Sequence, residues 1–159
     1  MVVLKLGEMG LDVSPTPDGL RARCDERLQA VDVATLPYPG FATDFMPLVV
    51  SLLATAEGSA IVTENVFDNR FGFVDELHRM GADIRNEGRH AVVRGVDRLS
   101  GAPVRAQDVR AGAALVVAGL AADHQPLHVH AGPPEFDRLH AGARAERARD
   151  GLGQRAQGQ

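Results

Sequence analysis

Tryptophan is absent, tyrosine occurs once and phenylalanine six times, so aromatics are 4% of the 159 residues although 45% are apolar. The interior must therefore be aliphatic, built from Val, Leu, Ile and Ala with a few Phe. Cysteine is nearly missing as well. Cys24 alone permits neither an internal disulfide nor a zinc knuckle, and it fits a reducing compartment. Long hydrophobic runs are lacking: "AALVVAGLAA", Ala113 to Ala122, falls well short of the roughly 20 residues of a membrane span. The opening "MVVLKLGEMG" has no charged start or long apolar stretch of a signal peptide, so a cytoplasmic location is expected. There is no basic block, and the formal charge is only −4. This argues against nucleic acid and points to small-molecule or protein partners. The length suits one domain that buries roughly two thirds of its unfolded surface.

What is present alternates between strand and helix signals. "VVLKL" and the following "GEMGLDVSPTPDGLRARC" read as short strands joined by turns at Gly and Pro, with Leu20, Ala22 and Cys24 alternating with Arg and Cys24 facing inward. From Asp44, Phe45, Leu48, Val49, Leu52 and Leu53 recur at helical spacing, and Gly58 is the expected C-terminal cap. "SAIVTENVF" reads as a buried strand, "FGFVDELHRMGADI" as a helix closed by Gly81, and "DIRNEGRHAVVRG" as a hairpin. After "SGAPVRA", a short strand leads to Asp108 and a third helix, "VRAGAALVVAGLAAD".

The first and third helices repeat one another. "PLVVSLLATAEG" from Pro47 and "ALVVAGLAADHQ" from Ala114 share Leu-Val-Val and then Leu-Ala in the same register. Such repeats suggest copies of a βαβ-type module that bury their helices together. The pattern stops after "LHVH". From Ala131 the chain is rich in Ala, Gly, Arg and Gln, and residues 131–159 are expected to form an atypical, disordered or loosely helical tail after a folded region spanning 1–130.

Polar residues at the strand-to-helix junctions are the candidates for chemistry. Asp44 and Asp108, each ahead of an apolar helix, read first as N-caps that satisfy orphan amides and meet the positive end of the helix dipole. Arg70 and Arg110 fall at equivalent junctions, where arginine is usually a solvated charge. In a repeated α/β module such junctions can gather at one end, giving cations for phosphates and a carboxylate able to take a hydroxyl proton.

"TLPYPGFATDFMPL", "GSAIVTENVFDNRFGFVDELHRMGADI" and "GVDRLSGAPVRAQDVRAGAALVVAGLAA" resemble successive segments of the bacterial UDP-N-acetylglucosamine 1-carboxyvinyltransferases, a family of enolpyruvyl transferases. The likeness covers about Leu20 to Asp123, in order and spacing. It implies the fold of 5-enolpyruvylshikimate-3-phosphate synthase: an inside-out α/β (α+β) barrel of repeated βαβαββ units, here incomplete. It also implies enolpyruvyl transfer from phosphoenolpyruvate to the 3'-hydroxyl of UDP-N-acetylglucosamine with release of phosphate, the first committed step of peptidoglycan synthesis. By the same resemblance Asp44 contacts the sugar hydroxyl and is the proposed base, and the backbone of Val66 binds the UDP-sugar. Arg70, Asp108 and Arg110 line the anion-binding cleft. No cofactor or metal is implied, and the crowded His124, His128 and His130 read as incidental.

Departures from the family pattern shape the remaining expectations. The family's general acid, a cysteine in a flexible loop, belongs to a half of the chain with no counterpart here, and Cys24 lies in no such motif. After "LHVH" this chain gives "AGPPEFDRLH" where the family continues His-Asp-Arg-Gly-Tyr, as though the reading frame changed near His124. Two functional classes follow: an enzyme fragment that needs a missing N-terminal half, or a noncatalytic UDP-sugar-binding or interaction domain, a pseudoenzyme.

Overall fold

The computed structural model describes residues 1–123 and 128–131. Its centre is one complete βαβαββ unit, in the order β3 (Val33–Ala34), α2 (Met46–Leu53), β4 (Ser59–Thr63), α3 (Val74–Arg79), β5 (Asp83–Glu87) and β6 (His90–Arg94). Ahead of it lie α1 (Val2–Glu8), β1 (Asp12–Thr16) and β2 (Gly19–Arg23); behind it lie β7 (Pro103–Ala106), α4 (Val109–Leu120) and β8 (His128–Ala131). The four-stranded sheet has the order β3-β4-β6-β5, with β3 parallel to β4 and the other pairs antiparallel. The parallel pair β7-β8, bridged by α4, restarts the pattern that β3, α2 and β4 set.

The two matched helices do pack together. The Ser51 hydroxyl of α2 donates to the Ala114 carbonyl of α4 at 2.9 Å, and the fully buried Val50, Leu53, Ala114, Leu115 and Ala118 join one aliphatic core with Leu77, Met80 and Leu99. The α4 segment from Ala111 to Leu120 contains no polar side chain, yet Val116 and Leu120 are exposed. A helix apolar on every side is one that neighbours normally surround.

A second repeat escaped the sequence reading. "VVLKL" is not a strand but the body of α1: Val2, Leu6 and Met9 fall at helical spacing, and a five-residue alternation is too short to outweigh that period. With α1 corrected, "LGEMGLDV" (Leu6–Val13) matches "LHRMGADI" (Leu77–Ile84). Met9 and Met80 are both fully buried, and Gly10 and Gly81 both take positive φ, +97° and +88°. The Gln29 amide donates to the Met9 carbonyl at 2.9 Å, and the Ser100 amide to the Met80 carbonyl at 2.8 Å. Thus α1, β1 and β2 repeat the rear half of the central unit, α3, β5 and β6.

Other expectations need smaller corrections. Cys24 is exposed, because the β1-β2 hairpin is a separate two-stranded sheet and every residue of β2 faces solvent. Helix α2 ends at Leu53, where tight turns take over, and Gly58 serves the turn into β4 instead of capping it. β4 is half-buried, with Ala60 and Val62 inward and Ile61 exposed. The hairpin β5-β6 is as expected, with Gly88 at φ +63° opening its two-residue turn. Apart from Ala131, the tail expected over 131–159 lies outside the described residues. The side chains of His124, His128 and His130 do too.

Candidate functional site

The site forms where the segments following β3, β4 and β7 meet. Asp44 is the middle residue of a short 3-10 turn, Thr43–Phe45, that leads into α2. It does not cap: the turn begins one residue too early, the N-cap of the turn is Ala42, and no side chain caps either helix start. The free carboxylate instead reaches two cations. Its Oδ1 accepts from Arg110 Nη1 at 2.8 Å and from Arg70 Nη1 at 3.4 Å. Hydrogen bonds from Arg110 and then Arg70 hold the exposed Asp44 carboxyl below its ordinary range, and Asp44 in turn raises Arg110.

Asp108 is the cap that the sequence promised. Its Oδ1 accepts from the amides of Arg110 at 2.8 Å and Ala111 at 2.9 Å, which starts α4 and points the Arg110 side chain back towards Asp44. The Ala111 amide is the main cause of its lowered pKa, with Arg110 adding to it. Arg70 follows Asn69, a left-handed residue at φ 54°, and its guanidinium lies over the Phe67 ring at 4.2 Å from the centroid. Beside these groups lies a cavity of about 170 Å³, lined among others by Asp68, Arg70, Gln107, Asp108 and Arg110. It is smaller than the roughly 300–1,000 Å³ of an ordinary ligand pocket, as one open side of a larger cleft would be.

Val66 lies three residues beyond the end of β4, where the chain begins to bend. Its amide is already donated to Glu64 Oε1 at 2.7 Å. The structure therefore brings Asp44, Arg70, Asp108 and Arg110 into one connected cluster, and joins Val66 to the Asp44 turn through Glu64, which also accepts from the Thr43 hydroxyl at 2.7 Å. Glu64 was missed in the sequence. The one signal available was a carboxylate directly following the inward-alternating residues of β4.

Glu64 is 1% exposed. Burial opposes its ionisation, but donors from Thr43, Thr35, Val66 and Phe67 prevail and hold its pKa below the ordinary 4.5. Its contribution to stability is therefore full above about pH 4.5 and lost as pH falls through the lowered folded value. Urea unfolding of the wild-type chain from neutral pH down to about pH 3 should show this loss, and Glu64→Gln should flatten the acid limb. Among the described residues, no group of three or more His, Cys, Asp or Glu is placed to hold a metal ion. No helix among them is long and apolar enough to cross a membrane.

Residues 1–137 match the family model of EPSP synthase (3-phosphoshikimate 1-carboxyvinyltransferase). The chain belongs to the EPSP synthase family. Within it, the chain is 50% identical over 141 residues to the UDP-N-acetylglucosamine 1-carboxyvinyltransferase of Mycolicibacterium paratuberculosis, covering 86% of this chain and 34% of that one. It is 54% identical over 123 residues to UDP-N-acetylglucosamine 1-carboxyvinyltransferase 2 of Caldanaerobacter subterraneus, covering 77% and 30%. The chain thus spans about a third of the length of these relatives. Among solved structures, it superposes on the enolpyruvyl transferase NikO from Streptomyces tendae with a TM-score of 0.70 at 29% identity, over 82% of this chain and 29% of that one. EPSP synthase from Acinetobacter baumannii, at 17% identity and a TM-score of 0.56, shares the fold. The family match runs past His124, where the sequence reading placed a break.

Proposed function

We propose that this chain carries one wall of an enolpyruvyl transferase site that takes UDP-N-acetylglucosamine and phosphoenolpyruvate, and that Asp44 accepts the proton of the sugar 3'-hydroxyl. The observation that carries the proposal is the Asp44–Arg110–Arg70 cluster, a carboxylate shared by two guanidiniums beside an open cavity. Relatives at 50% and 54% identity bear the name of that transferase, which supports the choice of sugar nucleotide.

The electrostatics suggest how the pieces would cooperate. With no anion present, both arginines bond to Asp44 and weaken it as a base. A phosphate that drew the guanidiniums to itself would relax this hold and raise the carboxylate's proton affinity as the hydroxyl arrives. Asp108 keeps Arg110 on station by fixing the first turn of α4, and the Val66 backbone would meet the sugar nucleotide. The proton donor would come from the rest of a relative-length protein. A cytoplasmic location belongs to the same reading.

The alternative, a noncatalytic binding or interaction fragment, draws on the apolar faces of α2 and α4. A groove of about 290 Å³ is lined by Leu6, Phe45, Leu48, Leu52 and Val117. Phosphate release from phosphoenolpyruvate and UDP-N-acetylglucosamine, assayed with this chain alone and with the N-terminal part of a relative, separates the two readings. Transfer is expected only in the mixture. Saturable UDP-sugar binding without turnover in any mixture would leave the noncatalytic reading.

A further inference from the structure

Five residues, the candidate base among them, close a ring of contacts. Glu64 Oε2 accepts from the Thr43 hydroxyl at 2.7 Å, and Thr43 is bonded through the chain to Asp44. Asp44 pairs with Arg70, Arg70 lies over the Phe67 ring, and the Phe67 amide returns to Glu64 Oε1 at 3.1 Å. The same oxygen accepts from the Val66 amide at 2.7 Å and the Thr35 hydroxyl at 2.8 Å, and Thr35 Oγ1 also receives the Asn65 amide at 2.9 Å. All four donors to the Glu64 carboxylate are neutral. Glu64 sits just beyond the C-terminal ends of the parallel strands β3 and β4, where the chain leaves towards the Asp44 turn on one side and towards Arg70 on the other.

We propose that Glu64 is a positioning residue: one buried carboxylate holds both arms of the site, the Thr43–Asp44 turn and the Val66–Phe67 loop, at the separation that lets Asp44 and Arg70 meet. Hydrogen bonds to an ionised acceptor are stronger than neutral ones, and inside a protein they hold their geometry more firmly. Two independent segments that share one such acceptor cannot move apart without stranding a buried charge. This deepens the sugar-site reading and rests on it only for what Asp44 acts upon.

The test follows the Asp44 carboxyl by carbon-13 NMR in the full chain, with Asp44→Asn to assign its resonance. No ligand is needed, so the result can fail while turnover stands, and the reverse. Thr43→Val cuts one link without opening a cavity, and Glu64→Ala cuts both. Each is expected to raise the Asp44 pKa towards its ordinary value, since the carboxylate drifts from its arginines. Glu64→Gln keeps an acceptor for the loop and an amide that can donate to Thr43 but loses the charge that strengthens these bonds, so its rise should fall between wild type and Glu64→Ala. The sign is diagnostic. Merely deleting a neighbouring negative charge would lower the Asp44 pKa, whereas losing its position raises it. Asp108, whose cap does not involve Glu64, is the internal control and should stay lowered in every variant. If Glu64→Ala fails to fold, Thr43→Val decides alone. A folded Thr43→Val chain whose Asp44 titrates as in wild type overturns the proposal, as does Glu64→Gln behaving like Glu64→Ala.

Discussion

Gly95→Ala is expected to destabilise the chain by more than about 4 kcal/mol, most or all of the roughly 5–15 kcal/mol that a domain possesses. Gly95 follows β6, where its amide donates to Gly58 at 3.0 Å and the next amide, of Val96, donates to Ala54 at 2.9 Å. These bonds draw the end of β6 against the turn that closes α2. A methyl group at Gly95 would collide with the carbonyl oxygen of Ala56, a backbone atom with no rotamer to yield. Relief would require parting the two segments, and with them the sheet from its helix. Urea unfolding should show a severely lowered midpoint or no cooperative transition. Gly88→Ala is the comparison. Its added methyl meets nothing within 4 Å, so only the strain of φ +63° remains, about 1–2 kcal/mol. A Gly95→Ala chain within about 1 kcal/mol of wild type would mean that β6 does not approach α2 in this way.

Asp44→Asn should lower turnover of the reconstituted transferase by about 10²–10⁴-fold, the range for loss of a general base. The substitution is nearly isosteric and keeps an oxygen for Arg110 and Arg70, so UDP-sugar binding should change little while the rate collapses. Asp108→Asn supplies the contrast. Asparagine is as good an N-cap as aspartate, so α4 should still start in place and Arg110 should still point to the site. Its expected loss is about tenfold or less. If the Asp44→Asn enzyme kept more than about a tenth of wild-type turnover, Asp44 would not be the base.

Much of the fold could be read from local chemistry. α3 and the β5-β6 hairpin announced themselves because Gly81 and Gly88 occupy backbone conformations that other residues resist. The α2/α4 pairing was legible because both helices bury the same Leu-Val-Val pattern. The reading failed where short alternation mimicked a strand in α1, and where the β2 pattern had no core to face. The site was harder. Asp44 and Arg110 are 66 positions apart, and no periodicity connects them; only resemblance placed them in one cleft. Capping logic was right for Asp108 and wrong for Asp44, because a turn that starts one residue sooner changes which amides lack partners. Glu64 went unseen because its meaning depends on four donors drawn from three separate segments.

Backbone-amide NMR of the full chain titrated with UDP-N-acetylglucosamine addresses the account most directly. Saturable shifts should gather at residues 43–44, 66–70 and 107–111, which the fold brings together from three distant stretches. No saturable shift, or shifts confined to the β1-β2 hairpin at residues 12–23, would contradict it.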